Sequence, residues 1–201
     1  MLIQPITGPQ SASDGNIAAA ARGGKQGDLI VSELHGRYYE QTYRSNMFSV
    51  MTQGTGVTTT AALATTFTGL AVGNPLGSGV NLVINKAWVT EFAVGAAATV
   101  GVMGGAGSIT ASLVPQSRLL ASGTLSKATA TAGQTISTPL LICTFGQTGS
   151  LATTGYGLGP AASIDFEGSL IVPPGSFIAS YTAVITTSAL QFGYAWEEVP
   201  V

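Results

Sequence analysis

The chain has 201 residues, a formal net charge of −2 and only 8% charged residues, against a globular norm of roughly 25%. Apolar residues make up 45%, which excludes a disordered chain, since those are poor in apolar groups and rich in charge. The lack of a basic excess argues against a nucleic-acid partner, and the length supports one well-buried core with room for an arm.

The opening MLIQPITGPQ has neither a basic n-region nor an apolar h-region, so no secretory signal is expected. Residues 1 to about 27 are rich in Gly, Ala, Ser and Gln, and only NIAAAAR suits a short helix. This stretch is expected to be an extended arm that orders against a partner. GDLIVSEL alternates weakly. SELHGRYYEQTYRSNMFSVM is expected to form one or two strands turning at Gly36.

From Thr55 onward the pattern is β. VTTTAALATTFTGLAV suits a strand pair, because threonines fit a pleated surface and weaken a helix. NPLGSG is a turn cluster. In VNLVINKAWVTEFAV, Val80, Leu82 and Ile84 share one side, and Trp88 and Phe92 continue its even parity. Residues 92–117 carry no Asp, Glu, Lys or Arg, yet their glycines and Pro115 make a poor helix, so strands joined by turns are expected and no membrane partner. ASGTLSKATATAGQT looks like a long polar connection and TPLLICTFG like a short apolar strand. SFIASYTAVIT is followed by a brief TSA link and LQFGYAWEEV. In the latter, Leu190, Phe192, Tyr194 and Trp196 alternate with Gln191, Gly193, Ala195 and Glu197. That period of two puts all four large side chains on one face of a strand. The two segments are expected to pair antiparallel over a shared core. Short strands without a long amphipathic helix argue for an all-β antiparallel β-sandwich, with jelly roll the preferred topology. The expected division is 1–50 for the arm and docking segment and 51–201 for the sandwich.

Little in the chain looks reactive. His35 is the only histidine; a triad with Glu33 or Glu40 would need a serine elbow G-x-S-x-G, which is absent. One histidine and one cysteine cannot supply a zinc site. Cys143 in LLICTF is expected to be a buried small apolar side chain. Asp165 and Glu167 in SIDFEGS could be half of a cation site, but a solvated strand face is the preferred reading. GVMGGAG and GYGLGP lack the flanking helix and lysine of a nucleotide loop. No cofactor is expected, and no enzyme.

HGRYYEQTYR concentrates what functional chemistry there is. Arg37, Glu40 and Arg44 lie three and four apart, as neighbours on a helix would. On a strand Tyr39 would share a face with Arg37 and Tyr43. Tyrosine and arginine are enriched in protein contacts, so Arg37, Tyr38, Tyr39, Glu40, Tyr43 and Arg44 form the candidate partner-binding strap, a local structural role being the alternative. Between Ser45 and Ile164 the only charges are Lys86, Glu91, Arg118 and Lys127. A surface so poor in charge suits a subunit that neighbours cover.

GDLIVSELHGRYYEQTYRSNMF, NPLGSGVNLVI, LIVPPGSFIAS and the closing YAWEEVPV are similar to segments of virion structural proteins of tailed bacteriophages. These segments cover most of the chain, and each is a pattern of strands and turns rather than a signature of activity. The resemblance implies a virion component. Within that class a capsid decoration (cement) protein is favoured, a trimer that engages its own copies and the major capsid protein through the N-terminal arm. A long fibre would want repeats or heptads, which are absent. The alternative function is a carbohydrate-binding jelly-roll module of a head or tail fibre. For that role Trp88, Tyr156, Tyr194 and Trp196 are the candidate stacking residues, although alternation assigns Tyr194 and Trp196 to the interior.

Overall fold

The computed structural model describes residues 36–52, 57–59, 62–93, 95, 97–148 and 162–201. The expected arm, GDLIVSEL, Glu33, His35 and Tyr156 lie outside them. The chain divides between Tyr39 and Glu40, and the fold belongs to the second unit, Glu40–Val201.

Among the described residues one short helix, α1 (Tyr39–Tyr43), precedes eleven strands: β1 (Met47–Met51), β2 (Val57–Thr59), β3 (Thr66–Asn74), β4 (Val80–Ala93), β5 (Thr99–Ala106), β6 (Gln116–Ser117), β7 (Thr129–Thr135), β8 (Leu140–Gln147), β9 (Ala162–Val172), β10 (Ser176–Thr182) and β11 (Thr186–Pro200). The first sheet runs β6-β1-β11-β4-β9, with β2 also pairing with β11, and the second runs β7-β3-β10-β5-β8. Every pairing is antiparallel. The two sheets share one apolar core, so the protein is an all-β sandwich. The inner quartets, β1-β11-β4-β9 and β3-β10-β5-β8, have the strand order that two Greek keys produce in a jelly roll. Among the described residues no helix is long and apolar enough to cross a membrane.

The alternation in β11 holds. Leu190, Phe192, Tyr194 and Trp196 are all buried, joined by Phe48 and Val50 of β1, Leu82 and Ile84 of β4, Val100 and Val102 of β5, Leu70 and Val72 of β3, and Ile178 of β10. Phe48 stacks on Trp196, with ring centroids 6.5 Å apart. A smaller cluster including Phe67, Met103, Ile109, Ile136 and Phe177 forms a second apolar group. Strand β5 sits so close to β8 that a Cβ at Gly101 would lie 2.2 Å from the Cys143 carbonyl.

Several expectations are corrected. SFIASYTAVIT and LQFGYAWEEV do not pair with each other. β10 lies between β3 and β5, whereas β11 lies between β1 and β4; Ala183–Ile185 carries the chain across the sandwich, and TSA is already part of β11. The expected pair in VTTTAALATTFTGLAV separates likewise, β2 into one sheet and β3 into the other. The second half of the polar connection ASGTLSKATATAGQT is an edge strand, β7, which buries Ala130 and Thr131. The expected domain boundary at 50/51 falls within β1, whose Phe48 and Val50 belong to the core.

HGRYYEQTYR is not a strand in its described part. α1 ends in a Schellman cap: Asn46 N–H donates to Gln41 O, Ser45 N–H to Thr42 O, and Ser45 takes a left-handed φ of 60°. The i,i+4 pair Glu40–Arg44 at 2.7 Å adds to that helical turn.

Candidate functional site

The strap expected from sequence begins in the first unit, where the Arg37 guanidinium stands 5.3 Å from the centre of the Tyr38 ring. In the second unit Arg44 binds Glu40 through both Nε and Nη2. Tyr39 and Tyr43 are 46% and 67% exposed, and Arg37, Glu40 and Arg44 are exposed as well. Tyr38 is half-buried, and Glu40 and Arg44 hold each other.

A different residue, Trp88, lines a groove on the first sheet. Strict parity puts Trp88 inside, but Asn85 is an extra residue. Ile84 pairs with Trp196 and Leu170, and Lys86 pairs with Ala195 and Asp165, so Asn85 has no partner on either side. This β-bulge lets two successive side chains leave on the same side. Asn85 Nδ2 donates to Met47 Sδ at 3.4 Å, and beyond it the inward positions become Ala87 and Val89. Trp88 is thereby turned to the outer face of the first sheet. The side chain of Phe92 lies outside the description.

Across that face Trp88 pairs with Gly193, and Gly193 with Met51. The indole covers Gly193 so closely that a Cβ there would lie 2.1 Å from the ring. Arg118 reaches to 5.9 Å from the indole centre, the outer range of a cation–π contact. Beside the indole lies a groove of about 360 Å³, with Val50, Met51 and Val114 as its other apolar walls and Ser49, Gln116 and Gln191 as its polar ones. Gln191 Nε2 donates to Thr52 O at 2.9 Å and Gln116 Nε2 to Val114 O at 3.1 Å. Both amides are thus oriented, with their oxygens left to accept. The groove exists because β6 is short. It pairs only with Phe48 and Ser49, and Pro115, next in line, has no N–H to continue the ladder.

A second surface lies where β8 and β9 form the edges of the two sheets. A Cβ at Gly146 would be 2.5 Å from Ala162 Cβ, so the strands meet at that end. Further along, Leu140, Leu141 and Ile142 are 70%, 44% and 42% exposed. Phe145, Ile164, Phe166 and Leu170 are only partly buried against the core. Cys143, expected to be buried, is half-buried on this flank. Burial still pushes its thiol pKa up, partly offset by a backbone hydrogen bond from Val102, so the thiol stays protonated near neutrality. Tyr194 behind it is shifted far upward, first by burial and then by the Cys143 charge.

The acidic pair behaves as a surface pair. Asp165 and Glu167 are both exposed, and Asp165 meets Lys86 at 3.5 Å. Among the described residues no three His, Cys, Asp or Glu side chains cluster as a metal site would require. Glu198 is buried and fastens the loop before β7, accepting from Ser126 Oγ and from Lys127 N–H at 2.9 Å. Of the candidate stacking residues that are described, Tyr194 and Trp196 are in the core and Trp88 reaches a surface groove. Its signal in the sequence was the adjacent polar pair Asn85-Lys86, which breaks the apolar alternation.

Fold and surface together describe a jelly-roll sandwich that carries, among the described residues, an exposed apolar stretch on β8 and a groove beside Trp88. No protein family, curated protein or solved structure matches the chain.

Proposed function

We propose that this chain is a non-enzymatic structural subunit of a phage particle, a capsid decoration or cement protein. It associates with its own copies, as a trimer, and with the major capsid protein through its N-terminal arm and the Arg37–Arg44 strap, and its place of action is the virion.

The observation that carries this reading is the β8 edge. Leu140, Leu141 and Ile142 stand exposed in a strand with no charged residue. An exposed apolar edge strand invites association, and a chain with 8% charge has few groups to oppose it. Two bulges in the β8–β5 ladder disfavour continued strand pairing, so contact through side chains is the mode that fits. Tyr39, Tyr43 and Arg37 add the residue types that contribute most to protein interfaces.

Deletion of residues 1–45 tests the strap. β1 begins at Met47, so the truncated chain should keep the far-UV spectrum of a β-sandwich and lose incorporation into particles. Normal occupancy of particles by the truncated chain would overturn the assignment.

A further inference from the structure

We infer that the groove beside Trp88 is a binding site for a neutral saccharide, held by a pyranose ring against the indole. This goes beyond the assembly role and rests on separate residues.

The indole is held in place. Gly193 lets it lie directly on the sheet, and the Asn85 bulge aims it outward. Arg118 approaches the ring but does not line the groove, whereas Trp88 does. Part of the aromatic surface therefore faces the groove. The C–H face of a pyranose is apolar and slightly positive, which suits the negative face of an indole.

The polar lining fits the hydroxyls of the same ring. Gln116 and Gln191 have their amide nitrogens engaged by backbone oxygens, so each offers a carbonyl oxygen to a ligand O–H. Ser49 supplies a hydroxyl that both donates and accepts. No ionisable residue lines the groove. A phosphate or carboxylate would find no cation at the lining and an ammonium no anion, so an uncharged polyhydroxyl ligand is favoured. The volume of about 360 Å³ lies at the lower end of the ~300–1,000 Å³ common for small-molecule sites, the scale of one or two sugar rings.

The full chain contains only two tryptophans, and Trp196 is sealed in the core, so emission changes report on Trp88. Titration with methyl glycosides of glucose, galactose, mannose and N-acetylglucosamine, and with their disaccharides, should give a saturable emission shift for at least one. The expected dissociation constant is on the order of 1 mM. Trp88→Ala should weaken binding at least 10-fold. Gln191→Ala and Gln116→Ala, which leave the indole in place, should each weaken it about 5-fold, and Trp88→Phe should retain part of it. Ligand-observed NMR reads the same sugars in the variants that lack the indole, and their melting curves show whether they remain folded. The inference is overturned if no sugar binds, if binding is unchanged in both glutamine variants, or if the groove takes only a polypeptide.

Discussion

A methyl group at position 193 would collide with the indole of Trp88, and that single absence of a side chain decides how the outer face is built. Glu197, the residue before the buried Glu198 in β11, shows a different case, a carboxyl in a partly buried position. Burial raises its carboxyl pKa. The folded state then binds more protons than the unfolded one, so stability falls as pH rises from the ordinary glutamate value near ~4.3 through the higher folded value. Glu197→Gln removes that loss. The variant should be more stable than the parent at pH 7 in urea unfolding and should match it near pH 3. A gap that stays constant across this range would show that the carboxyl charge is not responsible.

At the scale of elements, β4 and β8 depart most from what their sequences suggest. β4 begins with a regular alternation of Val80, Leu82 and Ile84, and one inserted residue, Asn85, reverses it. Pattern reading assumes unbroken pairing; a bulge adds a residue without adding a partner, so every later side chain changes face. LLICTFG has the composition of a buried strand, yet β8 is an edge, because strand order and not composition decides which strands have neighbours on both sides. This yields a test of the flank. Leu140→Lys combined with Ile142→Lys, both at exposed positions, should leave thermal stability within about 0.5 kcal/mol and, if the proposed self-association also uses this flank, lower the mass measured by light scattering. An unchanged mass would remove β8 from the proposed self-contact.

For the whole molecule, the termini of the sandwich are neighbours in space. Met47 to Met51 pairs with Gly193 to Glu197, so the first strand and the last lie side by side in the first sheet. The sheet closes only once the chain's C-terminal strand is present, and Trp196, the largest fully buried side chain, arrives with it. Truncation after Ala195 should therefore leave an insoluble or unfolded product by circular dichroism. Trp196→Ala in the full chain should cost about 3–5 kcal/mol and still fold. A soluble truncated chain with a β spectrum would show that Trp196 and the end of β11 are dispensable for the sandwich.

The residues alone determined the β class, the inward face of β11 and the scarcity of reactive groups, because a period of two and the presence or absence of a side-chain type are local properties. They also singled out the tyrosine–arginine segment, although its helix was missed: the i,i+4 pairing of Glu40 and Arg44 was visible, and the Schellman cap at Ser45 depends on backbone angles that composition does not encode. Which strands became neighbours was settled only in three dimensions. Jelly-roll pairing joins segments far apart in the chain, and the Asn85 bulge shows its effect only against both of its partner strands. The apolar flank and the Trp88 groove follow from those long-range choices: one exists where two sheets run out of strands, the other where Pro115 ends an edge strand beside an indole turned outward.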